Sequence, residues 1–404
     1  MTHLDDNLRE SITFLAGDST VFESVSPQRP FSGECCGFLE AVSRELRNRS
    51  DAAGFPDIAS FAFWCRKGNI ARLKSSVDDG RYRLGRGRVF HIAPSNVPVN
   101  FAFSFVFGLL AGCNNVVRVP SKEFPQVEIL AGVFNKLLKT DDFVSLRQHN
   151  ALIRYERNDE ITRWISERSD GRIIWGGDTT IRTIRKFPIR PRGVEIGFAD
   201  RYSFSVLEGN AIAALSEIEL AGLAKSFYND TYIMDQNACS SPHLVVWLGG
   251  ANESVRHRFW EQVAKTATGY DLPAVKVMDK YTRLCSNGIT FGDGNRCCHF
   301  RRWGNRLYVV ELAVIPEQLD SLRGLFGLFY EYNARSLDDL AEFVNDKFQT
   351  VTTFGVDRKL IADWVVRRSL TGIDRVVPVG SALDIGIVWD GFELVNIFSR
   401  MIDC

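Results

Sequence analysis

The sequence predicts an α/β protein made of two doubly wound domains behind a helical N-terminal segment. Three observations predict it. Between residues 88 and 175, short β-rich runs alternate with segments of helical period, the pattern of a parallel sheet with crossover helices. The same alternation resumes beyond residue 200. A chain of 404 residues also exceeds what one hydrophobic core comfortably organises and fits two domains of roughly 100 to 200 residues. The expected boundaries are 1–200 for the helical segment with the first α/β domain, 201–374 for the second, and 375–404 for a C-terminal return that serves a domain core or an oligomer contact.

Taken in order, residues 1–80 read as mostly helical, with GFLEAVSRELRNRS (37–50) and IASFAFWCRKGNIARLK (58–74) apolar at three-to-four spacing. RVFHIAP is a strand, Val99 to Ala111 an apolar helix, and NNVVRVPS a second strand. This β-α-β unit implies a parallel pair with a right-handed crossover. A helix in FPQVEILAGVFNKLLK, a strand at ALIRYE, a helix in DEITRWISERS capped by Asn158 or Asp159, and a strand at GRIIWGG continue the pattern. Gly193 to Glu208 reads as paired strands, followed by a helix ahead of Tyr228, the strand HLVVWLG and the helix ESVRHRFWEQVAKTA. The tail supplies VVPVG and the apolar run WDGFELVNIFSR, which needs a neighbour to cover it.

Composition narrows the function. Lys plus Arg and Asp plus Glu both number 49, so no global field draws the chain to nucleic acid or to an anionic membrane, and a small molecule is the expected partner. Nine cysteines, an odd number spread along the chain, beside a start (MTHLDDNLRE) without a basic and then apolar leader, point to a reducing, cytoplasmic setting. No CxxC or HExxH spacing suggests a metal. Val89 to Val117 lacks charged residues and is long enough to span a bilayer, but Pro94, Pro98 and the Asn114-Asn115 turn argue against a spanning helix. The 29 Phe residues permit generous apolar pockets, although Phe usually fills cores.

Two short stretches carry chemistry. DQNACSSPH (235–243) sets Cys239 among small and polar residues just ahead of an apolar strand, where a thiol is approachable, whereas Cys65 and Cys113 sit in apolar runs. The competing reading is a buried bystander. IAPSNVP (92–98) holds Asn96 between two prolines at the carboxyl end of a strand, where a side-chain amide can donate to an oxyanion; the alternative is a plain turn former. Gly85 and Gly87 precede their strand, the wrong order for a dinucleotide loop, so WGGDTT (175–180) is the better phosphate candidate.

In sequence order, IAPSNVPVNF, VVRVPSKEFP, IIWGGDTTIR, VEIGFADRYSF and DQNACSSPH resemble the ordered motifs of the aldehyde-dehydrogenase superfamily. The resemblance is strongest to its acyl-CoA reductase branch, typified by the fatty-acid reductase of bacterial luminescence, which also shows patterns like FWCRKGNI and GIDRVVPVGSALD with WDG. It implies an aldehyde-dehydrogenase-like fold in which 1–200 carries the nucleotide-binding domain and 201–374 the catalytic domain, with Cys239 as nucleophile, Asn96 and the Cys239 backbone N–H as oxyanion donors, and Glu195 as general base. It implies cofactor contacts from Ala93, Pro94, Ser95, Arg118, Ser121, Lys122, Trp175, Gly176, Gly177, Asp178 and Phe326. Lys122, in VPSK where NAD-preferring relatives carry an acid nearby, favours NADPH through the 2′-phosphate. Asp178 is an unusual substitute at the phosphate turn, and RGLFGLF (323–329) has Gly324 in place of the acid that usually holds the nicotinamide ribose.

The expected reaction is therefore NADPH-dependent reduction of an acyl thioester, a fatty acyl-CoA or a carrier-bound acyl group, to an aldehyde through a Cys239 acyl-enzyme. A homo-oligomer, a dimer or tetramer, is expected by the same resemblance, with an acyl-transferring partner protein as a further option. Three alternatives stand beside it: an oxidative aldehyde dehydrogenase or acyl-phosphate reductase, a cofactor-independent cysteine acyltransferase or thioesterase, and a silent assembly partner.

Overall fold

The computed structural model describes residues 8, 10–94, 97–290 and 297–404. The chain forms two compact units, Met1–Ala199 with Gly386–Cys404, and Asp200–Ile385. Each is organised by one predominantly parallel sheet.

Strands of the first unit are β1 (Thr13–Ala16), β2 (Tyr82–Gly85), β3 (Arg88–Ile92), β4 (Asn114–Arg118), β5 (Asn150–Arg154), β6 (Gly171–Trp175) and β7 (Val194–Phe198). Its six-stranded sheet runs β1-β5-β4-β3-β6-β7, parallel throughout except for β1, which is antiparallel to β5. The chain moves outward from β3 through β4 to β5, then returns to the other side of β3 for β6 and β7. That reversal leaves a crevice between the carboxyl ends of β3 and β6, the usual ligand position in such sheets.

The apolar stretch tested as a membrane span folds as β3, the helix Asn100–Leu110 and β4, and every helix residue from Phe101 to Leu110 is buried. Among the described residues no helix is long and apolar enough to cross a membrane. Segment 58–74 is two helices rather than one, Pro56–Trp64 and Lys67–Val77, because Arg66 turns to an extended ψ of 142°. Asn69 Nδ2 donates to the Trp64 carbonyl at 2.7 Å and satisfies the broken end. Gly85 is required for packing: a Cβ there would lie 2.0 Å from the Gly112 carbonyl oxygen.

Strands of the second unit are β8 (Tyr202–Glu208), β9 (Pro242–Leu248), β10 (Cys297–Trp303), β11 (Leu307–Leu312), β12 (Leu328–Asn333), β13 (Phe348–Phe354) and β14 (Arg375–Pro378). They form a seven-stranded sheet in the order β10-β11-β12-β9-β8-β13-β14, with only β10 antiparallel to its neighbour. The sequence expectation that 193–208 is a pair of joined strands is thereby corrected. β7 pairs with β6 whereas β8 pairs with β9 and β13, so the two belong to different sheets. The tail adds β15 (Val388–Trp389), β16 (Phe392–Glu393) and β17 (Ser399–Ile402), and β17 pairs antiparallel with β2.

One buried charge fixes the far side of the second sheet. Glu331 of β12 is fully buried and accepts from the Trp247 indole at 2.8 Å, the Trp260 indole at 2.7 Å and Arg256 at 3.1 Å, with Arg301 on the same carboxylate. Removing one member of such a network strands the others. Glu331→Leu is expected to cost about 3–5 kcal/mol, read as a lowered urea midpoint.

Candidate active site

Cys239 lies in the second unit, on the loop joining the helix Glu217–Thr231 to β9. That helix begins with a reciprocal capping box between Ser216 and Glu219. Just past its end, Asp235 and Gln236 both adopt left-handed backbone, at φ 55° and 59°. Such residues cost of order 1 kcal/mol each and persist only where surroundings fix them. Here the Gln236 side chain is buried, donating to the Leu328 carbonyl at 3.1 Å and accepting from the Gly327 N–H at 2.7 Å. The Asp235 carboxylate accepts from the Tyr270 hydroxyl at 2.5 Å and from Lys276 at 3.0 Å.

The loop presents a half-buried Cys239, in contrast to Cys65 and Cys113, whose thiols burial raises above their usual range. Ser203 Oγ donates to the Cys239 carbonyl at 2.7 Å and accepts from the Thr350 N–H at 3.1 Å. Gln349 Nε2 reaches the Cys239 sulfur at 3.2 Å. His243, four residues on, is not suited to be the base of a Cys-His pair, because burial pushes its ring down to about 3.

Arg375, the first residue of β14, places a positive charge in the same neighbourhood. It donates to the carbonyls of Ala382 at 2.6 Å, Ser381 at 2.7 Å and Asp384 at 2.6 Å. Burial lowers its pKa, while Asp384, Asp230 and Cys239 hold it charged. Asp230, buried at the end of the helix, accepts from the N–H groups of Gly380 at 2.6 Å and Ala382 at 2.8 Å. Burial nevertheless pushes its carboxyl up to about 7.

Gly324 explains the missing acid. Any Cβ there would sit 1.7 Å from the Leu328 carbonyl oxygen, so the backbone folds into the space a side chain would need. The turn is pinned by Gln236, by Asn287 donating to the Arg323 carbonyl at 3.1 Å, and by Lys280 donating to the Phe326 carbonyl at 3.0 Å. Phe326 itself is left-handed at φ 53°.

In the first unit, the carboxyl edge of the sheet gathers most of the residues expected at a cofactor. The Ala93 N–H donates to the Arg118 carbonyl at 3.1 Å, followed by Pro94, while Ser95 and Asn96 lie outside the described residues. Arg118 ends β4 with its guanidinium 4.3 Å from the Tyr155 ring centroid and its Nε buried without an acceptor. Ser121 and Lys122 are exposed, with Lys122 Nζ 4.9 Å from the Phe124 ring centroid. The Trp175 indole stacks on Phe198 with centroids 3.9 Å apart and donates to Ser104 Oγ at 2.9 Å. Gly176 bonds back to the Phe198 carbonyl, and Gly177 caps the helix Asp178–Ile184 with nothing within 4 Å of where a Cβ would stand. An orphaned guanidinium N–H, an exposed cation and an open glycine turn on one edge suit a phosphate-bearing dinucleotide.

Glu195 is not on that edge. It is the second residue of β7, about 10 Å of strand from the carboxyl end. Two arginines clasp it, Arg172 at 2.6 Å and Arg185 at 2.7 Å. The family resemblance implied a place for it near the reacting groups; the register of β7 on β6, with Glu195 opposite Arg172, draws it to the amino side.

Gln349, Ser203, Arg375 and Asp230 were not singled out by sequence reasoning. Ser203 and Arg375 stood inside quoted motifs, but Gln349 is a lone amide in a strand of Thr, Val and Phe and gave no signal. The titration of Asp230 has a measurable sign. Its folded pKa lies above its unfolded value of 3.8, so its favourable contribution is complete below about 4 and is lost as pH rises through about 7. Urea midpoints of Asp230→Asn should therefore lack the part of the wild-type decline between those pH values, whatever its constant offset.

The family model for acyl-CoA reductase (LuxC) matches residues 74–286. No curated protein sequence matches the chain. Among solved structures, a point mutant of the 1-pyrroline-5-carboxylate dehydrogenase of Thermus thermophilus is 14% identical with a TM-score of 0.61, covering 96% of this chain and 84% of that one. An aldehyde dehydrogenase 21 from Physcomitrella patens, in complex with succinate, gives 13% identity and a TM-score of 0.62 over 91% and 85% of the two chains. A NAD-dependent benzaldehyde dehydrogenase from Corynebacterium glutamicum gives 14% and 0.59 over 91% and 84%. With two parallel-sheet units of the aldehyde-dehydrogenase-like α/β fold and that match over more than half its length, the chain belongs to the acyl-CoA reductase (LuxC) family.

Proposed function

We propose that this protein reduces an acyl thioester, a fatty acyl-CoA, to an aldehyde with NADPH, through an acyl-enzyme on Cys239. The observation that carries the reading is the setting of Cys239: a half-buried thiol, its carbonyl fixed by Ser203 and its sulfur met by an amide, in a chain of an acyl-CoA reductase family. A thiolate is a strong nucleophile at neutral pH, and a cation such as Arg375 in its neighbourhood favours the anion.

Attack by Cys239 on the thioester carbonyl forms a new C–S bond. The bond to CoA breaks with its electron pair leaving on the CoA thiolate. Asn96 and the Cys239 backbone N–H take the oxyanion role in this reading. Because thiolate is a good leaving group, acyl transfer needs no activated water, in keeping with Glu195 being engaged by two arginines. Arg118 and Lys122 would hold the cofactor's phosphates, with Ala93, Pro94, Ser95, Ser121, Trp175, Gly176, Gly177 and Asp178 around it and Phe326 as a further contact. When bound, the reduced nicotinamide supplies the hydride that converts the acyl group to the aldehyde. A cytoplasmic homo-oligomer taking its acyl group from CoA is the setting this reading assumes.

Incubation with acyl-CoA without cofactor, followed by intact mass, should add one acyl group to the wild-type chain and none to Cys239→Ala; an acylated Cys239→Ala defeats the mechanism. Lys122→Glu is expected to lower the NADPH-over-NADH ratio of kcat/KM at least about tenfold, the scale of one lost charged contact. An unchanged ratio removes the NADPH assignment and leaves the acyl transfer standing.

A further inference from the structure

We infer that Gln349 is a catalytic residue of this site: its side-chain amide is the donor that keeps the Cys239 sulfur anionic before attack and receives it again whenever the bond from carbon to that sulfur breaks. The inference rests on Cys239 being the nucleophile, and adds to it a group outside the oxyanion pair.

Orientation is the first support. Gln349 Oε1 accepts from Thr350 Oγ1 at 3.2 Å, which leaves the NH₂ end of the amide facing the sulfur at 3.2 Å. An amide N–H can only donate, and a neutral thiol is a weak acceptor, so this contact gains most of its strength when the sulfur carries charge. Burial is the second. Gln349 is 1% exposed on β13, between Phe348 and Thr350, where little water is present to weaken a hydrogen bond to a charged sulfur. Registry is the third. Ser203 Oγ joins the Thr350 N–H to the Cys239 carbonyl, so the strand that carries the amide and the loop that carries the sulfur are tied together right beside the contact. The Asp374 N–H, at 3.0 Å from the Gln349 carbonyl, anchors the same strand beside Arg375.

The chemistry balances without a further reactant. In acyl transfer the sulfur lone pair forms the C–S bond while the electron pair of the old C–S bond departs on CoA. In the reverse transfer that pair returns to Cys239, beside the same N–H.

The test is the rate of carbamidomethylation of Cys239 by iodoacetamide at about pH 7, followed on its own peptide because the exposed Cys285 and Cys404 react as well. Gln349→Met keeps length and volume and removes the donor; Gln349→Glu keeps the shape and reverses the electrostatics. Both should react about tenfold slower than wild type, with Gln349→Glu the slower of the two. Cofactor-free acylation by acyl-CoA should slow in parallel, with urea midpoints reported for both variants. A Gln349→Met chain that alkylates and acylates at wild-type rates overturns the role of Gln349. A wild-type chain that alkylates normally yet is never acylated overturns instead the nucleophile reading on which it rests, and the two failures are told apart by that comparison.

Discussion

The hydroxyl of Ser203 does two things at once, and the site depends on both. By accepting from Thr350 and donating to Cys239, it fastens a loop with two left-handed residues to the central strands of a sheet. A loop left to its own entropy would spread the sulfur over many positions. Tied at this point, its thiol meets the amide of Gln349 at a defined distance, so positional accuracy comes from the strands rather than from the loop itself.

Charge around the sulfur is arranged indirectly. Arg375 directs its hydrogen bonds at three carbonyls of the 381–384 turn, and Asp230 receives two N–H groups of residues 380 and 382 on its carboxylate. The turn is thus the frame that sets how much positive potential the thiol experiences. The opposite treatment appears at Glu195, where two guanidinium groups saturate a carboxylate and occupy it as an acceptor.

How much of this was legible in the sequence follows from what each feature depends on. The alternation of β3, the buried helix and β4 was readable because period and apolarity are local properties. The break at Arg66 was not, since the apolar spacing runs on through it, and the contacts of Phe61 and Trp64 with Phe103 just before it come from a distant part of the chain. Cys239 stood out by its polar surroundings, whereas Gln349, 110 positions away, meets it only through strand pairing. Glu195 shows the reverse case: a motif match fixes an order along the chain, but the ladder with β6 decides which end of the strand a side chain lies at. Gly324 looked like a loss and is a steric requirement of the turn it belongs to.

The return of residues 386–404 to the first unit has a consequence for biogenesis. Cys113 Sγ donates to the Phe398 carbonyl at 3.1 Å, Phe398 is fully buried beside Gly171, and β17 completes a ribbon with β2. The second unit is therefore an insertion within the first. During synthesis on the ribosome it can mature as soon as its own strands have emerged, while the earlier-made unit waits, its apolar seam open, for a segment translated only after the whole insertion.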